Sequence, residues 1–173
     1  IATLNQIEKN IFLEKNFIES VSLPKGRAKM ISKDGKNILI DYAHNLGGMK
    51  AIVSSVANIY NGLVIVYGCG GRRDNSERDK MMKFACSNSR IVIFTSDNSR
   101  DESYQSILDD SKKDHEYSNL IVEPDRKQAI KLGLELIKEN EILLILGKGH
   151  EEFQEIKGTK IPFNDQRVVE QIL

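Results

Sequence analysis

The sequence has 173 residues, with 25 Lys and Arg balanced by 25 Asp and Glu and with 40% hydrophobic residues. A chain of this size forms one domain by default and buries on the order of two thirds of its unfolded surface, enough for a core without disulfides. Balanced charge removes the long-range basic field that nonspecific nucleic-acid or anionic-membrane binding needs. The longest apolar runs are too short to cross a bilayer, and the N-terminus lacks the order of a signal peptide. The expectation is a cytoplasmic monomer with no nucleic-acid or membrane partner.

In chain order, Ile1 to Leu23 carries helical periodicity (Leu4, Ile7, Ile11) without a strand, and Pro24-Lys25-Gly26 closes it like a linker. This stretch reads as the tail of a neighbouring piece of a longer protein, with the domain proper over 24–173. Short apolar runs then recur at Asn37 to Ile40, Leu63 to Tyr67, Ile91 to Thr95, Leu120 to Val122 and Ile142 to Leu146, each with the look of a buried strand. Between them apolar residues fall at helical spacing, as in Met49, Ile52, Val53, Val56 and Ile59, then Ile130, Leu134 and Ile137. Two helix starts are marked by Ser76 three residues before Asp79 and Asp125 three before Gln128. Phe153 to Ile156 and Lys160 to Phe163 flank Lys157-Gly158-Thr159 as a hairpin, and a last short helix starts at Asp165. Alternating strands and helices predict an α/β, Rossmann-like fold: a mostly parallel sheet with helices on both faces and a C-terminal hairpin.

The segments richest in Gly, Asp, Arg and His begin where predicted strands end: Asp41 to Asn45, Gly68 to Asp74, Ser96 to Arg100 and Gly147 to Glu151. The carboxyl ends of parallel strands line one crevice where ligands bind, so the four segments are expected to converge. Gly68 to Gly71 allows positive φ and backbone N–H groups facing an anion, or a tight strand-to-helix turn. Arg72, Arg73 and Arg78 favour an anion, with at least one of them instead paired to Asp74, Glu77 or Asp79. Asp97-Asn98-Ser99-Arg100 offers an acceptor, an amide and a cation to a zwitterion, or an Asx-type cap on a helix starting near Asp101. His44 either meets a ribose or adenine together with Asp41, or caps the next helix. The Gly-Lys-Gly at 147–149 lacks the spacing of a P-loop, Cys69 and Cys86 have no ligand spacing and read as buried or idle thiols, and no metal site is expected.

Taken together, Asp41-Tyr42-Ala43-His44, Gly68-Cys69-Gly70-Gly71 with Arg73, Asp74 and Arg78, Thr95 to Arg100, Asp125-Arg126 and Gly147-Lys148-Gly149-His150-Glu151 resemble the C-terminal domain of the Mur ligases from about Gly26-Arg27 onward. The resemblance implies three cooperating domains, with ATP and Mg2+ held mainly by a central domain absent from this sequence and a UDP-sugar dipeptide held by the first. It implies acyl-phosphate formation followed by attack of an amino group. It implies that Arg78, Asp97, Asn98, Ser99, Arg100, Gly147 and Glu151 bind the incoming amino acid and that Arg27, Asp41 and His44 lie on the nucleotide side, with no catalytic residue sufficient in this domain alone. The Asp-Asn-x-Arg form is similar to the version selecting meso-diaminopimelate, whose distal carboxylate calls for a cation such as Arg100. Ser99 stands where that motif has Pro, Asn45-Leu46 where Thr-Pro is usual, and Arg72 where an acidic residue is frequent. A lysine-adding Mur ligase, a folylpolyglutamate or cyanophycin synthetase type, and a noncatalytic amino-acid or nucleotide-binding module are the alternatives; the Gly147 to Glu151 stretch argues against the synthetases.

Overall fold

A computed structural model describes residues 27–72 and 75–173. The helical tail expected over 1–23, the linker at 24–26 and the side chains of Arg73 and Asp74 lie outside the described residues. The chain order is β1 (Lys29–Lys33), β2 (Lys36–Asp41), α1 (Leu46–Val56), β3 (Gly62–Tyr67), α2 (Arg78–Asn88), β4 (Ile91–Phe94), α3 (Tyr104–Lys112), β5 (Leu120–Val122), α4 (Arg126–Leu136), β6 (Glu141–Leu146), β7 (Phe153–Ile156), β8 (Thr159–Pro162) and α5 (Asp165–Ile172).

Six strands form one sheet in the order β1-β2-β6-β3-β4-β5, and β7 and β8 form a second, antiparallel pair. From β2 to β5 every pairing in the large sheet is parallel, as expected from the apolar runs. The central strand β6 is buried along its whole length, because it has neighbours on both sides and helices on both faces. Strand β1 is an addition to the sequence reading. Its Lys-rich, exposed sequence has no apolar run, and it pairs antiparallel with β2 through Asp34 (φ 51) and Gly35 (φ 73), a two-residue turn of the left-handed kind that Asp-Gly favours.

Alternate residues along each strand serve two cores. Leu39, Ile65, Tyr67, Phe94 and Leu144 face Met49, Val53, Met82 and Ile107 of α1, α2 and α3, whereas Ile38, Val64, Val66, Ile93, Leu143 and Ile145 face Ile130, Leu134, Val168 and Val169 of α4 and α5. Strands β2, β3 and β4 therefore send the chain to one face, and β6 sends it to the other. Because β6 lies between β2 and β3, the chain parts in opposite directions on both sides of it, which opens crevices at its carboxyl end.

The helix starts agree in part with the sequence. Asp125 caps α4, accepting from the N–H groups of Lys127 and Gln128. The cap expected at Ser76 is displaced: α2 starts after Glu77, which makes no side-chain cap bond. Ser103, not the Asp97–Arg100 turn, caps α3, and Asn45, not His44, caps α1. Ile137 ends α4 in extended conformation instead of continuing it.

A buried ion pair joins the second face. Arg126 Nε and Nη2 donate to the two carboxylate oxygens of Asp165 at 2.8 Å each, and both side chains are fully buried. Burial opposes the charge, but the Asp165 carboxylate, joined by those of Asp97 and Glu151, raises the Arg126 pKa on balance. At the opposite end of the sheet Arg90 donates twice to Glu141 at 2.6 Å, and this pairing holds the Glu141 carboxyl below its usual range. Arg126→Met strands the Asp165 carboxylate and is expected to cost about 3–5 kcal/mol in urea unfolding, most of it recovered on adding Asp165→Leu. A depressed carboxyl stabilises above its unfolded pKa, about 4.3, and loses that contribution as pH falls through the folded value. The stability gap between the parent and Glu141→Gln is therefore expected to hold steady near neutral pH and to narrow as pH falls below about 4.3, as read from urea midpoints.

Candidate functional site

Three loops meet at the carboxyl ends of β3, β4 and β6, and glycine allows them to meet. A Cβ on Gly68 would lie 2.2 Å from the Thr95 carbonyl oxygen, one on Gly71 would lie 2.0 Å from that of Ser99, and one on Gly147 would lie 2.7 Å from Asp97 Oδ2. The positive φ expected over Gly68 to Gly71 is absent; the left-handed residue there is Arg72 (φ 49), and glycine supplies room for backbone against backbone. The Gly71 N–H donates to the Asn98 carbonyl at 2.9 Å and seals the contact.

Asn98 is the hub of the β4 loop. Its Nδ2 donates to Glu151 Oε2 at 2.7 Å, and its Oδ1 accepts from Lys148 Nζ at 3.0 Å and from the Glu155 N–H at 2.9 Å. Lys148, fully buried, also donates to Glu151 Oε2 at 2.8 Å. The Gly-Lys-Gly turn thus turns its cation inward to neutralise Glu151 and to orient Asn98, a job only burial reveals. Arg100 adopts φ 53, donates from Nη1 to the Gly71 carbonyl at 2.6 Å, and has Nε 3.8 Å from Glu155.

Tyr42, Gly70, Asp97, Asn98, Arg100, Gly147 and Glu151 enclose a small cavity of about 20 Å3. Ser99 is buried in the same turn. The other wall of Gly70 borders a larger cavity of about 320 Å3, lined also by His44, Asn45, Cys69, Glu77, Arg78 and Met81. Arg78 does reach this end of the sheet, but its guanidinium is held by Glu102 at 2.6 and 2.8 Å, by Asp110 at 2.9 Å and by the Gly70 carbonyl at 3.0 Å. The Arg78 contact depresses the Glu102 pKa. Arg72 pairs with Asp101. The described partners of Arg72 and Arg78 are thus Asp101, Glu102 and Asp110 on and before α3, while Arg73 and Asp74 lie outside the described residues; no spacing within one segment signals such pairing across loops.

On the other flank of β6, Asp41 is buried and accepts from the N–H groups of Ala28 at 2.8 Å and Ala43 at 2.7 Å. It shapes the loop that carries Tyr42 and His44. The Tyr42 ring lies 4.7 Å from that of His44 and 5.3 Å from that of His150, with the Arg27 guanidinium 4.9 Å from its centre. The described residues hold no group of three or more His, Cys, Asp or Glu fit for a metal ion, and no described helix is long and apolar enough to cross a membrane. Burial pushes the Cys69 thiol up to about 12 and that of Cys86 to about 11, so neither is a nucleophile near neutral pH.

Residues 26–149 match the family described as Mur ligase, glutamate ligase domain. The chain belongs to the Mur ligase family. It is 40% identical over 162 residues to a UDP-N-acetylmuramoyl-L-alanyl-D-glutamate--2,6-diaminopimelate ligase of Aquifex aeolicus, covering 90% of this chain and 33% of that protein. A solved structure of a ligase of the same name superposes with a TM-score of 0.81 at 33% identity, over 91% of this chain and 33% of that one. Folylpolyglutamate synthase of Thermotoga maritima superposes with a TM-score of 0.55 at 25% identity, over 73% and 28% of the two chains. The chain therefore spans about a third of the length of these relatives.

Gly71→Ala drives a Cβ into the Ser99 backbone and is expected to cost about 1–3 kcal/mol in urea unfolding. Gly47→Ala, whose Cβ has ordinary room at 3.7 Å from Asn45 Oδ1, is expected to stay within about 0.5 kcal/mol of the parent or to exceed it.

Proposed function

We propose that this chain is the amino-acid-binding C-terminal domain of an ATP-dependent Mur ligase that joins meso-diaminopimelate to UDP-N-acetylmuramoyl-L-alanyl-D-glutamate in the cytoplasm. The observation that carries this reading is the shared cavity of Asp97, Asn98, Arg100, Gly147 and Glu151, in which two carboxylates and one guanidinium from two loops face a space of zwitterionic character. The named activity of the similar ligases supplies the substrate class.

Arg100, about a quarter exposed, is the group for a distal carboxylate, and Asp97 and Glu151 are the acceptors for ammonium groups. Asn98 and Ser99 shape the turn between them, and Gly147 keeps the β6 loop clear of Asp97. Arg78 supports this wall through the Gly70 carbonyl and meets a carboxylate directly only by exchanging Glu102 for it. Arg27 and His44, gathered around Tyr42 on the loop that Asp41 sets, form the edge for the nucleotide.

ATP supplies the phosphoryl group that activates the dipeptide carboxyl, and this domain delivers the amine to it. In this reading Mg2+ is held mainly by the central domain together with the nucleotide phosphates. The domain's own work is to select the amino acid and, on closure against its partners, to exclude water from the acyl phosphate. A lysine-adding enzyme would have no use for a cation at the end of the Asp97 to Arg100 turn.

In the full-length protein Arg100→Ala is expected to raise KM for meso-diaminopimelate about ten- to a hundredfold, the loss of a charged hydrogen-bonded contact, with KM for ATP little changed. Steady-state kinetics with each substrate varied in turn decide it. Equal effects on both, or a parent enzyme that prefers L-lysine, overturn the assignment.

A further inference from the structure

The Asp97 to Arg100 turn has hydrogen bonds of its own, from the Ser99 N–H to the Asp97 carbonyl at 3.0 Å and from the Asn98 N–H to Asp97 Oδ1 at 2.5 Å, but its last residue is held from outside. Arg100 sits at φ 53, a left-handed conformation uncommon for a residue with a Cβ, and such a residue persists only where its surroundings over-determine it. The surroundings here come from the small hairpin. The Arg100 N–H donates to the Glu155 carbonyl at 3.0 Å, the Lys157 N–H donates back to the Arg100 carbonyl at 2.5 Å, and Arg100 and Ile156 form an isolated parallel bridge. The hairpin thus grips the turn at its last residue.

Its grip on the first residues runs through one side chain. Gln154 on β7 is 7% exposed, and its Nε2 donates to Ser96 Oγ at 2.7 Å and to the Asp97 carbonyl at 3.2 Å. Both amide hydrogens are used, and both acceptors belong to the β4 loop. Ser96 Oγ donates onward to the Pro124 carbonyl at 2.7 Å, which ties the loop to the start of α4. The Glu155 N–H adds a third tie, to Asn98 Oδ1. Along β7, residues 154, 155 and 156 therefore meet positions 96 to 100 in order. The hairpin residues hold Asp97, Asn98 and Arg100 from behind and do not themselves line the cavity.

We infer that Gln154 is a positioning residue for amino-acid recognition: by holding the Asp97 carbonyl and Ser96 hydroxyl it fixes the angle between Asp97 and Arg100, so that an ammonium and a carboxylate of one ligand are met together. This rests on the amino-acid reading of the cavity given above. Ser99 gives the turn more backbone freedom than a ring-locked residue would, and β7 adds constraint from outside the turn.

The test uses the full-length protein with meso-diaminopimelate, ATP and the UDP-sugar dipeptide. Gln154→Met keeps the length and removes both donors; Gln154→Glu keeps the shape and, ionised, can accept but not donate. Each is expected to raise KM for the amino acid about five- to thirtyfold, the weight of one to two net hydrogen bonds, with kcat and KM for ATP within about twofold and an unchanged far-ultraviolet circular dichroism spectrum. A folded variant with unchanged KM for the amino acid, or with kcat and all KM values moved together, overturns the inference. If neither variant folds, Gln154 is structural and the inference is likewise overturned. Arg100→Ala run in parallel separates the two readings: its selective effect without one from Gln154 removes only the positioning role, whereas the absence of a selective effect from Arg100→Ala removes the cavity reading and this inference with it.

Discussion

The ion pair between Arg126 and Asp165 lies where four parts of the fold meet. Beyond the two bonds to Asp165, Arg126 donates to the Leu146 carbonyl at 3.0 Å and to the Ser96 carbonyl at 3.4 Å. One guanidinium thus fixes the first residue of α4, the first residue of α5, the last residue of β6 and the second loop residue after β4. Guanidinium suits this role because its planar fork of donors stays charged when buried. Such a pair adds little net stability over an apolar replacement, but it dictates where each end must sit.

The site inherits its geometry from that junction. The loop after β6 starts at Leu146, and the loop after β4 starts next to Ser96, so the groups that build the cavity leave from positions that Arg126 has already set. Glycine then lets the loops close on one another. Gly68, Gly71 and Gly147 each stand where a Cβ would strike backbone or Asp97 of a facing loop. Asn98 and Lys148 fill the remaining space with hydrogen bonds, and Lys148 cancels the charge that Glu151 brings into a buried place. A network whose members are all satisfied is rigid, and the proposed amino-acid recognition draws on that rigidity.

Two groups of side chains flank β6. On one side lie Asp97, Asn98, Arg100 and Glu151; on the other lie Arg27, Tyr42, His44 and His150 around an aromatic centre. The separation reflects strand order, because β6 sits between β2 and β3, and the loop after β6 contributes to both sides through His150 and Glu151. The hairpin formed by β7 and β8 follows that loop and reaches back to the turn through Gln154 and Arg100.

The five parallel strands, the hairpin, the helix from Asp165 and the cap at Asp125 were legible in the sequence, since hydrophobic period and cap chemistry are local properties of the chain. The gathering of Asp41, Asp97, Arg100, Gly147 and Glu151 at one end of the sheet was legible too, because each follows a strand and parallel strands end together. Strand β1 was hidden, because an exposed edge strand needs no apolar residues. Ser76 and the Asp97 to Arg100 turn carry residues that favour caps, yet neighbouring Glu77 and Ser103 begin the helices. Which partner each charge takes was decided by tertiary structure alone: Arg78 with Glu102, Arg126 with Asp165 and Lys148 with Glu151 depend on loops that only folding brings together. Local sequence sets what a residue can do, and the order of strands in the sheet sets what it meets.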